Sequence, residues 1–256
     1  MLAPVLLLAV SLALLLSACG ASGGGGETAS PSPSPSIAAP PLRMVANDVM
    51  PLISVVDGQV TGFSGELATE IAARLGRPLA VTIEPFDRLL VSVAGGDADL
   101  AMSAISITPE REKLVAFSTP YLESGQALLV RTGSGIHSTA GLRGKTVAVV
   151  AGTTNKQYAQ GVAGVGRILT LRELSAAFAA LRAGKADAVV CDTPFALYEA
   201  RQTGTMEVAE TLTTGDLYGI ALRKDNVTLL QQVNDALAAI KADGTYDTLY
   251  QKYFGT

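Results

Sequence analysis

The chain has 256 residues, 48% hydrophobic and 16% charged, with a formal net charge of −4. That length can bury one large core or two smaller ones, while the mildly acidic balance without a Lys/Arg block argues against nucleic acid and anionic membrane surfaces as partners. The single histidine, His137 in the Gly/Ser-rich stretch "RTGSGIHSTAG", reads as a solvated loop residue; one histidine excludes a His-based triad and a multi-His metal centre, and no metal or cofactor is expected.

The first element, "MLAPVLLLAVSLALLLSACG", carries an apolar run from Leu2 to Leu16 interrupted only by Pro4 and Ser11. A membrane span needs about 20 residues, so the run suits a secretory signal that ends in small residues. Its end, "LSAC", resembles a bacterial lipobox, although no Lys or Arg precedes the apolar run. The resemblance implies a signal peptide over 1–18, cleavage before Cys19 and lipid on that cysteine; a plain signal peptide with its own cleavage site is the alternative. With Cys19 lipidated, Cys191 has no partner for an internal disulfide. Cys191 lies in the apolar run "ADAVVCD" and reads as a small buried hydrophobe rather than a reactive thiol. Residues 19–41, Gly/Ser-rich and then Ser-Pro alternating, have almost nothing to bury and read as a disordered linker.

From Leu42 onward the pattern is α/β. "GFSGELATEIAARLG" predicts a helix capped by Ser64, with Glu66 in its first turn, Leu67, Ile71 and Leu75 on one face, and Gly76 as its stop. "PLAVTIE" reads as a strand, "DRLLVSVAGG" as a helix closed by glycines and "ADLAMSA" as a buried strand. The scheme then recurs: strand "GKTVAVVAGTT", helix "LSAAFAALRAG", strand "KADAVVCD". In both copies a helix ends in Ala-Gly and the next strand opens on Ala-Asp. Alternating strands and helices imply a largely parallel sheet, and the repetition suggests two lobes. The tail, "NVTLLQQVNDALAAIKADGTYDTLYQKYFG", predicts two helices, with Leu229, Val233, Leu237 and Ile240 as a core-facing stripe.

In open α/β sheets ligands bind beyond the carboxyl ends of strands, and three polar clusters fall there. In "SAISITPEREK" Thr108 caps a helix with Pro109 at its first position, which puts Arg111 in the first turn beside Ser103 and Ser106. A guanidinium fork, hydroxyls and free N–H groups donate toward one point and fit a carboxylate; a purely structural cap, with Arg111 paired to a nearby Glu, is the competing reading. In "AGTTN" Gly152 permits a turn that presents Thr153 and Thr154 at a helix start. Asp192, before Thr193-Pro194, is either a helix cap or a receptor for a cation. Together these groups match the carboxylate and ammonium of an α-amino acid.

The stretch from about Leu42 to Gly255 resembles the type II periplasmic amino-acid-binding proteins of ABC importers. The likeness is carried by "GFSGELATEIAARLG", "PFDRLL", "ADLAMSAISITPEREKLVAFSTPYLESGQALLV", "LRGKTVAVVAGTT", "LRAGKADAVVCDTP", "YGIALRK" and "KADGTYDTLYQKYFG". It implies a two-lobed α/β fold with a hinge and a ligand cleft between the lobes. Lobe 1 would be 42–124 and 216–256, lobe 2 would be 125–215, and the hinge strands would lie near 122–126 and 214–219. It also implies that Arg111 grips the ligand carboxylate and that Ser106, Thr153 and Thr154 add donors. Asp192 would take the ammonium, Phe86 would lie against the ligand side chain, and Ser103 and Ala104 would face the ligand. The implied role is that of a monomeric, extracytoplasmic binding protein, lipid-anchored to the bacterial membrane, that delivers an amino acid to a permease.

One segment departs from the family. Where relatives read close to Asp-x-x-Tyr-Pro-Pro-Phe, this chain reads "ANDVMPLIS", 46 to 54. Val49, Met50 and Leu52 would then line the pocket in place of an aromatic, which disfavours a flat cationic side chain. Two alternatives remain at this level. A dehydratase of the same fold acting on arogenate or prephenate would need a general acid, for which Glu84, Glu123 and Glu173 are the candidates. A ligand sensor would need a separate membrane partner.

Overall fold

The structure, a computed structural model, describes residues 39–255. The signal peptide over 1–18, Cys19 and all but the end of the 19–41 linker lie outside the described residues. No helix among those described is long and apolar enough to cross a membrane.

The segment Leu42–Ala46 forms β1, and apart from the exposed Arg43 it is buried, with strands flanking it on both sides. The chain then makes a small hairpin, β2 (Ser54–Val56) and β3 (Gln59–Thr61), and enters helix α1 (Phe63–Arg74). Strand β4 (Leu79–Ile83) follows, then a 3-10 turn at Phe86–Arg88, helix α2 (Leu89–Gly95) and strand β5 (Leu100–Ala101). Short helix α3 (Pro109–Glu112) and strand β6 (Ala116–Phe117) complete this part. β4 and β5 pair parallel on either side of β1. A late strand, β12 (Ala221–Leu222), pairs antiparallel with β5 and with β6, giving the sheet order β4-β1-β5-β12-β6.

The second lobe repeats the design. Long strand β7 (Leu122–Arg131) leads to β8 (Thr146–Val150), α4 (Thr154–Gly161), β9 (Arg167–Leu171), α5 (Leu174–Arg182), β10 (Ala188–Asp192), α6 (Thr193–Thr203) and β11 (Met206–Tyr218). Its sheet has the order β11-β7-β10-β8-β9. The chain then returns through β12 to α7 (Val227–Ala242) and α8 (Thr245–Phe254), whose apolar stripe, including Leu229, Val233, Leu237 and Ile240, joins Leu67 and Ile71 of α1 in the first lobe's core. Phe63 anchors α8, with its ring edge-on to Tyr246 at 5.5 Å between centroids.

Two sequence expectations are corrected here. The sheets are mixed, not largely parallel: in each, two neighbouring pairs are parallel and two antiparallel. The βαβ units do pair parallel, but β7 and β11 pass between lobes and β12 returns to the first lobe's sheet after that crossing, and the helix–strand alternation carries no record of where such strands dock. Ser64 also does not cap α1. The cap is Gly62, at φ 90°, where an added Cβ would sit 2.6 Å from the Leu52 backbone. Ser64 is instead buried, with Oγ 3.2 Å from Tyr121 Oη.

The internal repeat holds at atomic detail. The Asp99 carboxylate accepts the backbone N–H of Arg43 at 3.1 Å, and the Asp187 carboxylate accepts that of Thr146 at 2.8 Å. Each therefore ties the start of its strand to the neighbouring parallel strand. Strands β7 and β11 link the lobes as an antiparallel pair from Leu122↔Tyr218 to Arg131↔Met206, with a register shift between Leu212 and Asp216. Leu122 and Tyr218 belong to the first lobe's core, whereas Ala127 and Leu129 belong to the second's.

Candidate functional site

Each sheet delivers its polar residues to the facing edge of the other lobe. In the first lobe β5 ends at Ala101 and the chain turns through Ser103–Ile107 into α3. Thr108 caps α3 as expected, its Oγ1 accepting the Arg111 N–H at 3.3 Å, with Pro109 in the first turn. The cap turns Arg111 back toward the strand end. Its Nη1 donates to the Ser106 carbonyl at 2.7 Å, and its Nη2 crosses to the second lobe to meet the Gly152 carbonyl at 3.0 Å. The Phe86 ring lies against the guanidinium, whose carbon is 5.4 Å from the ring centroid. The pairing of Arg111 with a nearby Glu does not occur among the described residues. The five N–H groups of a guanidinium leave three for a ligand.

In the second lobe β8 ends at Val150 and Thr153 caps α4. The Thr153 hydroxyl donates to the Val150 carbonyl and accepts from Lys156 N–H, so it is engaged locally rather than offered to a ligand. Thr154 Oγ1 is 3.5 Å from Ser106 Oγ across the cleft. Asp192 begins α6 but caps nothing with its side chain. Its Oδ1 instead accepts from Asn155 Nδ2 at 2.7 Å. Burial pushes the Asp192 carboxyl up to about 6; the Asn155 hydrogen bond works against that rise, the nearby Asp216 charge adds to it and Arg111 opposes it. Burial likewise lowers Arg111, against the pull of Asp192 and Asp216. Arg111, half-buried, and Asp192, buried, thus carry opposite charges in one site, and neither closes an ion pair among the described residues.

All eight residues singled out as ligand contacts, Phe86, Ser103, Ala104, Ser106, Arg111, Thr153, Thr154 and Asp192, line one cavity between the lobes. Two of them are less available than expected. Ser103 Oγ is 3.0 Å from the Asn47 N–H and donates to the Asn47 carbonyl, and the Ala104 N–H donates to Tyr121 Oη at 3.2 Å. These donors are therefore engaged within the first lobe rather than offered to a ligand. Ala104 holds φ +51°, a left-handed conformation uncommon for a residue with a Cβ. The cavity is about 40 Å³, room for a few waters, because the walls touch through Arg111 and Gly152 and through Asn47 Nδ2, which donates to Glu173 Oε2 at 2.9 Å.

Val49 lines the cavity as expected, but Leu52 is packed in the first lobe's core and Met50 is outside the lining. Asn47, Asn155, Leu174 and Phe195 line it without having been singled out. Asn155 stood in the quoted "AGTTN" and Phe195 one residue past "CDTP", so position relative to a strand end was the available signal. Cys191 is 2% exposed, and burial holds its thiol well above the usual range, which fits the inert reading. Of the three candidate acids, Glu84 accepts from Ser92 Oγ, Glu123 lies on a groove outside this cavity, and Glu173 reaches the cleft edge only to be engaged by Asn47.

The chain is similar to the L-cystine-binding protein TcyJ of Escherichia coli (strain K12), 36% identical over 203 residues, covering 78% of this chain and 76% of that protein. It is also similar to the ABC transporter glutamine-binding protein GlnH of Bacillus subtilis (strain 168), 32% identical over 200 residues, covering 77% and 73%. Among solved structures, an ancestral arginine-binding protein bound to glutamine superposes with a TM-score of 0.80 at 37% identity, covering 84% of this chain and 98% of that one. The likeness fits the type II periplasmic-binding-protein architecture. Residues 42–256 match the family model described as bacterial extracellular solute-binding proteins, family 3. The chain belongs to that family.

Proposed function

We propose that this chain captures a free α-amino acid between its lobes and delivers it to the permease of an ABC importer. The observation that carries the reading is the pair Arg111 and Asp192. They come from different lobes, line one buried cavity and lack ion-pair partners among the described residues. A zwitterion supplies both missing partners, and a buried charge is tolerated only when so matched. Arg111 is the carboxylate grip, with Ser106, Thr154 and the α4 N-terminus beside it. Asp192, oriented by Asn155, takes the ammonium. Phe86, already stacked on Arg111, walls the ligand side chain.

A cavity of about 40 Å³ requires the walls to part before an amino acid enters. The lobes are 42–124 with 216–256, and 125–215. The hinge lies in 122–126 and 214–219, a reading supported by the register shift between β7 and β11 there. Closure then follows from ligand contacts made only when the walls meet. The protein works as an extracytoplasmic monomer tethered by lipid on Cys19 through the 19–41 linker. We read it as a binding protein rather than an enzyme: of the three candidate acids only Glu173 reaches the cleft edge, where Asn47 engages it, and Asp192 is taken up by the ligand ammonium. Thermal shift of the full chain against all L-amino acids tests the reading: a ligand at about 1,000 times its Kd adds roughly 4 kcal/mol. No shift with any amino acid would refute it.

A further inference from the structure

We infer that Tyr218 is a positioning residue of the ammonium site: its hydroxyl, offered from the first lobe, holds the free oxygen of the Asp192 carboxylate and so sets the spacing between the two poles that grip the zwitterion. This rests on the amino-acid-binding reading and deepens it. Tyr218 is fully buried at the end of β11, in the first lobe's core. Its backbone is pinned to the carboxylate side of the cleft. It bridges Ser106, and on either side the Ile107 N–H donates to the Leu217 carbonyl at 2.8 Å and the Gly219 N–H to the Ile105 carbonyl at 3.1 Å. The same Ser106 gives its carbonyl to Arg111. Tyr218 is therefore tied to the carboxylate grip, whereas Asp192 ends β10 of the second lobe.

The Tyr218 hydroxyl is buried and has no hydrogen-bond partner among the described residues. A buried donor is costly until something accepts its proton. Most of its polar neighbours are committed elsewhere. Tyr121, its ring 6.3 Å away, is engaged with Ser64 and the Ala104 N–H. Ser124 donates to the Gly125 carbonyl, and Gln126, opposite Asp192 on β7, gives its amide N–H to Asp216 at 3.2 Å. Asp192 has one oxygen on Asn155, while no described donor reaches the other. The two groups act on each other. Burial pushes the Tyr218 phenol well above its usual range, and the Asp192 charge adds to that. Burial raises Asp192; Asn155, Tyr218 and Arg111 oppose the rise and Asp216 adds to it. A carboxylate offers about four acceptor positions, so Asn155 and Tyr218 leave two for an ammonium. An ammonium that keeps Asp192 charged also makes it the stronger acceptor for the phenol.

Tyr218→Phe in the full chain tests this, because it keeps the ring and removes the hydroxyl. Carbon NMR of the ligand-free protein, with the Asp192 carboxyl assigned through Asp192→Asn, is expected to show its titration midpoint rise by about half a pH unit or more, since the charged form loses a donor. Calorimetry with the L-amino acid that gives the largest thermal shift is expected to show binding weakened by about tenfold at neutral pH. The fall in affinity on acidification should begin at a higher pH, and the matching 2-hydroxy acid should lose less. The melting temperature of the ligand-free variant should be unchanged or higher, because an unpartnered buried hydroxyl is gone. An unmoved midpoint, as when the hydroxyl serves the unpartnered Gln126 Oε1 instead, overturns the inference while the amino-acid reading stands, and so does an equal loss for both ligand classes. Absence of a thermal shift with any L-amino acid overturns that reading and this role with it.

Discussion

At the scale of single residues the site is governed by two unmatched charges, the half-buried Arg111 and the buried Asp192. Truncating one partner of a buried charge pair costs about 2–5 kcal/mol, so Arg111→Ala is expected to weaken ligand binding by roughly 30- to several-thousand-fold. Arg111→Lys is expected to be nearly as poor, because an ammonium cannot hold the Ser106 and Gly152 carbonyls and a carboxylate in one plane. Calorimetry on variants with wild-type circular dichroism decides; a loss of tenfold or less for Arg111→Ala contradicts the assignment. Asp192 makes a second, pH-dependent prediction. Its carboxyl titrates at about 6 in the ligand-free protein, while an ammonium ligand binds its charged form and so lowers that value. Protons therefore compete with the ligand: affinity is expected to be level above pH 7 and to fall, approaching tenfold per unit, below about 6. Asp192→Asn should flatten that profile and hurt amino acids far more than the matching 2-hydroxy acids. Equal loss for both ligand classes would mean that Asp192 has only a structural role.

At the scale of elements, short pieces of backbone aim the long side chains. Helix α3 is four residues long, and its cap is what points Arg111 at the strand end. Thr108→Ala is expected to cost about 1 kcal/mol of stability and to raise the ligand Kd as well, since the guanidinium loses its platform. A denaturation midpoint shift without an affinity change would separate cap from aim. The hinge strands supply another test. At Gly125 an added Cβ would lie 2.6 Å from the Leu212 carbonyl oxygen, so β7 and β11 can approach there only without a side chain. Gly125→Ala is expected to destabilise by about 1–3 kcal/mol and to disturb closure, visible as slower ligand association in stopped flow. Unchanged stability and association would show that the strands already have slack at that point.

At the scale of the whole molecule the two lobes have separate cores and share a cleft. A core defect in one lobe should therefore lower stability more than it alters the ligand contacts. Phe63, fully buried against α8, is away from the cavity lining. Phe63→Ala is expected to cost about 3–5 kcal/mol while leaving Kd within threefold at a temperature where the variant is folded. Saturating ligand should recover part of the lost melting temperature by mass action. A large affinity loss in folded Phe63→Ala would mean that the first lobe's core and the cleft are more tightly coupled than their separate packing implies.

What the sequence determined by itself was whatever depends on near neighbours. The α5–β10 unit was legible because Leu174, Ala177 and Leu181 recur at helical spacing before Gly184 and an apolar run. The kinship of the two lobes was legible in Ala98-Asp99 and Ala186-Asp187, and both aspartates do the same job on a neighbouring strand. Thr108 and Arg111 could be assigned because a cap acts over three residues. Long-range pairing was not legible. The antiparallel docking of β12 and β7 depends on where the chain returns after crossing lobes, and the Ser64 hydroxyl went to Tyr121, 57 residues on. Only the tertiary structure joined Asn47 to Glu173, 126 residues apart, and set Asn155 on Asp192. The first contact joins residues on opposite sides of the cleft and the second joins the end of β10 to the helix start that follows its neighbouring strand β8, and nothing local in the chain encodes which residue lies opposite.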